Sequence, residues 1–506
     1  MSPADGAAVL AVLRYDPRVS ARRAIVPLTG LDGVFLDLET PATPMHVGSV
    51  HLFAKPQGRQ RDFYGAVRRL LANGTQVAPV LGRRLAEVPL HFAHPVWVEG
   101  EDIDLDFHVR RVQVPAPGNQ AALEDCIAEL HSQLMDRSRP LWTIYVLEGL
   151  EDGRRAYYFK VHHAVLDGAA GVALAAALFN ASPSARRASR RTPPGTSGDR
   201  PGWLAAAGAA FSHDAAQYVR LVRYLPTAVS ALAGIVGSPA ASAGSQLLGN
   251  LAFGPRTPLN VTVTAERRFA VASLPLDEVK AIGARFDATI NDVVLALCGG
   301  TLRRYLARHG GLPRAPLIAT MPISLREPGD THFGTAATLS LVNLATHIAN
   351  PVRRLRAVRA AAGATKSLAR GARSLIPTDF PSIGVPWIVS SMAALYGRSH
   401  LADMIPPIAN VVISNVPGPQ VPLYTAGARM EAYWPVSIVE HGLGLNITVL
   451  SYTGTLAFGF TAARAAVADA RELASDLAAA QSELKRCASR RQRSRAGTAH
   501  RRPRAG

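Results

Sequence analysis

The stretch YYFKVHHAVLDGAAGVAL, Tyr157 to Leu174, restricts the fold of this chain more than any other. Its aromatic and apolar start reads as a strand and its alanine-rich end as a helix. The two meet in a turn that holds His162, His163, Asp167 and Gly168. Neighbouring residues on a strand end point to opposite faces, whereas zinc wants histidines at i and i+4 on a helix, so the pair makes a poor metal site. No G-x-S-x-G elbow is present, and no cysteine lies near the histidines in sequence. The residues alone leave two readings open. In the first, both histidines are satisfied turn residues and Asp167 caps the following helix. In the second, one neutral imidazole takes a proton from a hydroxyl as that hydroxyl attacks.

Strand and helix patterns alternate on both sides of a segment rich in Ser, Arg, Pro and Gly at residues 181–200, which predicts an α/β fold in two parts. A chain of 506 residues is too long for one core. The expected organisation is an N-terminal extension (1–26), an N-terminal domain with the histidine motif (27–180), a basic linker and helical crossover (181–255), a C-terminal domain (256–484) and a disordered basic tail (485–506).

Within this frame, Leu123, Ile127, Leu130 and Leu134 have helical spacing, and WTIYVLEGL and AYYFKV read as neighbouring strands joined by a turn from Glu151 to Arg154. PLIATMPI and NVVISNV read as strands, NDVVLALCGGTLRRYLARHG as a long helix, and Val467 to Leu484 as the final helix. LNITVLSYTGTLAFGF is a hairpin turning at Thr453-Gly454. In the crossover, Phe211, Ala215, Tyr218, Val222 and Leu225 form one helix face, predicted to pack on something. Pro226 and Pro239 interrupt the uncharged run from Tyr224 to Pro255, so it lacks the roughly 20 continuous apolar residues of a membrane span.

The net charge of +18 is half local, because nine of the lysines and arginines lie between Lys485 and Gly506. Such a tail suits an anionic lipid surface. It has no aromatic side chain to stack on bases, which disfavours nucleic acid as a partner. The amino terminus lacks the pattern of a signal peptide, and the three cysteines, Cys126, Cys298 and Cys487, are too far apart for a disulfide framework or a C-x-x-C site. A cytoplasmic location is expected.

His162-His163-Ala164-Val165-Leu166-Asp167-Gly168 is the H-H-x-x-x-D-G signature of acyl-CoA-dependent acyltransferases and peptide-synthetase condensation domains. The blocks LDGVFLDLETPATPMHVGS, LMDRSRPLWTIYVLEGL, PRTPLN, ATINDVVLALCGGTLRRYL, MPISLR, SNVPGPQVPLY and GLGLNITVLSYTG narrow the match. From about Pro27 to Leu484 the chain resembles the bacterial wax ester synthase/diacylglycerol acyltransferase family.

The resemblance implies a two-domain, chloramphenicol-acetyltransferase-like α/β fold with a tunnel between the domains. It implies transfer of a long-chain acyl group from acyl-CoA to diacylglycerol, or to a long-chain alcohol, with no metal and no resident cofactor. By the same resemblance His163 is the general base, His162 supports its ring, Asp167 is structural and Gly168 sets the loop geometry. Asn291, in TIND, stands near the base and stabilises an oxyanion or positions the substrate; on the residues alone it, or its neighbour, caps the helix that follows. Pro140-Leu141-Trp142 is expected in core and tunnel wall. Peripheral contact with the inner face of the membrane or with lipid droplets is expected. Alternatives are the same chemistry on a polyketide diol or glycolipid, and an idle membrane or lipid-droplet scaffold. The chain departs from the family pattern at Thr335 and at Asn350, where relatives carry Asn and Asp.

Overall fold

Two six-stranded sheets and a layer of helices on each account for most of the described residues. The computed structural model describes residues 25–55, 62–74, 79–88, 93–99, 103–165, 171, 179–183, 205, 207–219, 223, 254–324, 337–372, 389–392, 395–396, 399, 403–404 and 406–499. The first half contains β1 (Ile25–Pro27), α1 (Gly30–Leu38), β2 (His46–Phe53), α2 (Phe63–Gly74), β3 (Arg84–Ala86), β4 (Val96–Val98), α3 (Leu105–His108), β5 (Val109–Gln113), α4 (Gln120–Ser132), β6 (Trp142–Glu148) and β7 (Arg155–His162). The second contains β8 (Arg267–Pro275), α5 (Leu276–Phe286), α6 (Ile290–Arg308), β9 (Ile318–Ser324), β10 (Ala337–Asn343), α7 (Pro351–Ala372), β11 (Val411–Val416), β12 (Tyr424–Thr425), β13 (Ala428–Val436), β14 (Leu445–Tyr452), β15 (Thr455–Ala463) and α8 (Arg471–Ala499).

The sheets have the orders β12-β13-β2-β7-β6-β5 and β10-β9-β11-β14-β15-β8, with a small β1-β4-β3 sheet beside them. The first sheet is thus completed by strands from the second half of the chain. β13 pairs antiparallel with β2, Trp434 opposite Val50, and the edge of β2 that it covers would otherwise present unpaired backbone groups. Residues 424–436 of the expected C-terminal domain (256–484) thus take their place in the sheet of the other half. No local pattern marks this exchange, because a strand's alternation does not name its partner.

Several expected elements stand as read. β6 and β7 pair antiparallel across their polar turn, and β14 and β15 form the hairpin, with Thr453 (φ 39) and Gly454 (φ 82) in the left-handed region that a two-residue type I′ turn requires. Asn350 takes over the capping task of an Asp, its Oδ1 accepting from Val352 N and Arg353 N at 3.0 Å each, with Pro351 in the first helical position.

Other elements differ for identifiable reasons. α4 stops at Ser132, because the buried Lys160 ammonium donates to the carbonyls of Leu130 (2.8 Å) and Gln133; Leu134 lies beyond and is exposed. α8 starts at Arg471 and runs to Ala499, through a segment expected to be disordered. Its Ala, Arg, Gln and Lys are strong helix formers, and a buried stripe through Leu473, Leu477, Ala480 and Leu484 anchors it. In the crossover helix at residues 207–219, Ala210, Asp214 and Gln217 are buried, while Phe211, Tyr218 and Val219 are exposed. The face expected to pack is thus the face turned outward; Val222 and Leu225 lie outside the described residues.

Candidate active site

Strand alternation at the end of β7 separates the two histidines. Phe159, Val161 and His163 line a cavity, while Tyr158, Lys160 and His162 are fully buried in the protein. The backbone then turns tightly: His163 N donates to Met45 O (2.8 Å), Val165 N to His162 O (3.0 Å) and Ala164 N to His162 Nδ1 (3.1 Å). Because a backbone N–H can only donate, Nδ1 of His162 is the bare nitrogen and Nε2 carries the proton. The His163 ring stacks on Phe35 of α1, centroids 4.0 Å apart and planes at 16°.

The proton on His162 Nε2 faces a carboxylate. Glu39 Oε2 lies 3.3 Å from His162 Nε2 and 3.1 Å from His46 Nε2, and it accepts from Met45 N at 3.1 Å. His46 and His162 are register partners across β2 and β7, so one carboxylate reaches both rings. The second oxygen of Glu39 takes Arg137 in a fork, Nη2 at 3.0 Å and Nε at 3.2 Å. Glu39 is the C-cap of α1, where the helix dipole disfavours negative charge. Burial works to raise its carboxyl, but the contacts with His162 and His46 outweigh burial and hold it below the usual carboxylate range. Burial also lowers His46 to about 4, the contact with Glu39 notwithstanding, so its ring is neutral near neutral pH.

His163 opens into a cavity of about 310 Å³ between the two sheets. Val47, Ser49, Phe159, Val161, Tyr433 and Pro435 form one wall; Thr320, Val412, Ser414, Asn446, Thr448 and Leu450 form the other. The alternate residues of the second sheet, among them Val411, Ile413, Ile447 and Val449, point away into a core shared with α5 to α8. The cavity is mostly apolar, and it stands where the resemblance placed a tunnel. An imidazole on the wall of a mostly apolar cavity can accept a proton from a hydroxyl brought against it.

Comparison with known proteins agrees with this arrangement. The model of the wax ester synthase/diacylglycerol acyltransferase catalytic domain matches residues 28–294, and that of the family's C-terminal domain matches residues 333–485. The chain belongs to the wax ester synthase/diacylglycerol acyltransferase family. A Mycobacterium tuberculosis relative, assigned by name to the diacylglycerol O-acyltransferases, is 37% identical over 464 residues, which is 91% of this chain and 99% of the relative. The solved wax ester synthase/diacylglycerol acyltransferase from Marinobacter aquaeolei VT8 is 30% identical, with a TM-score of 0.66, covering 92% of this chain and all of that one. A condensation domain of a calcium-dependent antibiotic synthetase, at 16% identity and a TM-score of 0.55 over 92% of this chain and 96% of that one, shares the two-domain fold.

Against this family frame, the structure brings together some of the residues picked out in the sequence. His162 and His163 share the turn; Asp167 and Gly168 lie outside the described residues. Asn291 does not cap α6, since Thr289 and Asp292 form a reciprocal capping box there. Nor is it among the described residues lining the cavity: its amide contacts Met321 Sδ at 4.0 Å and accepts from Asn415 Nδ2 at 3.3 Å. Trp142 is core rather than cavity wall, its indole donating to Leu81 O at 2.8 Å, while Leu141 O accepts from His162 N at 3.0 Å and so holds the base of the turn.

Glu39, His46, Arg137 and Phe35 were not singled out. The available signal was Glu39 itself, an acid closing an apolar helix seven residues before a histidine that opens a strand.

Proposed function

We propose that this chain transfers a long-chain acyl group from acyl-CoA to the hydroxyl of diacylglycerol, giving triacylglycerol, with long-chain alcohols accepted in a second activity that gives wax esters. The placement of His163 on the wall of the apolar cavity carries the reading. His163 takes the proton of the acceptor hydroxyl as its oxygen attacks the thioester carbonyl. The tetrahedral intermediate then collapses, and CoA leaves as the thiolate and collects that proton from the imidazolium. His162 and Glu39 are positioning residues, and Asp167 and Gly168 shape the loop. This chemistry requires no metal and no resident cofactor, because acyl-CoA is consumed as a substrate. Asn291, beside Met321 and Asn415, is the candidate for stabilising the oxyanion or positioning the substrate.

Both acceptors live in lipid, so the enzyme works at the inner face of the membrane or on lipid droplets. No helix among the described residues is long and apolar enough to cross a membrane. The outward Phe211, Tyr218 and Val219 support attachment through the crossover helix, aided by the basic end of α8.

The test is esterification of labelled palmitoyl-CoA with diolein and, separately, hexadecanol, with the products resolved. Triolein-like product in excess of wax ester supports diacylglycerol as the main acceptor. Inactivity toward both moves the weight to another hydroxyl acceptor or to an idle scaffold. For the surface, Phe211→Asp with Val219→Asp should reduce flotation with anionic vesicles, and unchanged flotation would remove the crossover helix from it.

A further inference from the structure

A second recess, of about 360 Å³, opens in the helix layer behind the second sheet, and no described residue lines both it and the His163 cavity. Arg303, Arg304 and Arg308 of α6 and Arg354 of α7 line it, against one acid, Glu483 of α8. Leu302 and Leu306 point the opposite way from α6, into the core that separates the recess from the sheet. Four guanidinium groups gathered on one recess call for counter-charge, and the described residues provide it unevenly.

Arg308 is satisfied, its Nη1 and Nη2 meeting Asp476 at 2.6 and 2.8 Å and its Nη2 meeting Glu472 at 3.1 Å. Arg304 gives Nη2 to Glu483 Oε1 (2.7 Å), while its Nε is buried without a hydrogen-bond partner among the described residues. Arg303 commits Nη1 to Thr346 O (2.8 Å). Arg354 is the least satisfied. It is 2% exposed, it makes no salt bridge with a described residue, and its Nη1 donates to the carbonyls of Ile348 (3.0 Å) and Ala349 (3.3 Å). Its Nε is buried without a partner among the described residues. A permanently charged group held in this state is costly, and a purely structural arginine would have its donors filled. Gly300 of α6 leaves the guanidinium its room, since a Cβ there would stand 2.9 Å from Arg354 Nη2.

We infer that this recess is a binding site for a phosphate group, whose oxygens are held by Arg354 and Arg303 with Arg304 beside them. The guanidinium forks arrive from two helices, α6 and α7. A carboxylate has two oxygens to offer them, whereas a phosphomonoester presents three and carries more charge. The phosphate can come free in solution or on a lipid headgroup, and both sources show the site the same oxygens. The site is apart from the His163 cavity, so the inference does not rest on the acyl-transfer reading.

The test titrates the purified full chain by calorimetry with inorganic phosphate and, in a separate arm, with dihexanoyl phosphatidic acid, a soluble lipid carrying the same phosphomonoester. The wild type should show one saturable site in at least one arm, and Arg303→Gln and Arg354→Gln should each weaken it by at least roughly tenfold. Glu483→Gln removes the competing charge and should tighten it by roughly threefold or more, a gain that a merely structural cluster would not give. Should Arg354→Gln fail to fold, the opposite shifts in Arg303→Gln and Glu483→Gln still decide the matter. Equal affinity in the two arms supports free phosphate as the ligand, and tighter binding of the phosphatidic acid supports a headgroup. No saturable binding in either arm would overturn the site, as would binding that is unchanged in the variants, which would mean an adventitious ion only. No turnover enters the readout, so failure of the acyl-transfer reading would leave this result standing.

Discussion

Glu39 Oε2 lies 3.3 Å from His162 Nε2, and through this contact the C-terminal end of α1 holds the strand end that carries His163. Phe35, one turn earlier on the same helix, stacks on the His163 ring. One short helix thus grips both histidines, one through its terminal carboxylate and one through its aromatic face.

Removing the charge should loosen that grip. Glu39→Ala leaves the Nε2–H groups of His46 and His162 and the half-exposed Arg137 without their shared acceptor, and orphaning buried donors of this kind costs about 1–3 kcal/mol. A denaturant midpoint shifted down accordingly, with activity lost, is the expected result. A variant of wild-type stability would mean that the cluster contributes no net stability.

His162 acts through the turn rather than on substrate. His162→Ala orphans the Ala164 N–H, a loss of about 1–3 kcal/mol for a buried donor. His162→Asn can offer an oxygen to the same N–H, so it should recover part of the lost kcat while leaving KM unchanged. Equal kcat in the two variants would show that the bond to Ala164 is not what His162 contributes.

Lys160 makes stability depend on pH in a stated direction. Burial lowers its folded-state value to about 7 from the ordinary 10.5. Below pH 7 the amine is protonated in both states and the burial penalty is fully present. Between about 7 and 10.5 only the unfolded chain holds the proton, so stability from this group rises with pH, by at most about 1.4 kcal/mol per unit. Measured against Lys160→Met, the wild type should gain stability from pH 7 to 9; a difference that is flat with pH contradicts the assignment.

The two sheets meet without room to spare at Gly459 of β15. A Cβ there would stand 2.0 Å from Pro435 O of β13, a backbone atom that cannot swing away. Pro435 also lines the cavity, so Gly459→Ala should cost about 1–3 kcal/mol and disturb the wall opposite the second sheet. Faster amide exchange in β13 is the signature to look for, and unchanged exchange would show that the contact relaxes elsewhere.

Much of this was legible in the sequence because it is local. Strand alternation, the Thr453-Gly454 turn and the long α6 all follow from neighbours within a few residues, and the paired His162 and His163 marked the strand end that meets the cavity. What was not legible depends on distance in the chain. β13 joins β2 from nearly 400 residues away, and Glu39 meets His162 across more than 120. The crossover helix differs for another reason: Phe211 and Tyr218 have core spacing, but periodicity does not say whether a face is covered by the protein or turned outward.

The central claim is that His163 is the base. It is tested most directly by following triacylglycerol formation from labelled palmitoyl-CoA and diolein with the wild type and a folded His163→Ala variant. A loss of roughly 10²- to 10⁴-fold in kcat, with the variant's unfolding midpoint close to that of the wild type, is the predicted result. Activity within a few-fold of wild type in the variant would contradict it and place the base elsewhere in the cavity.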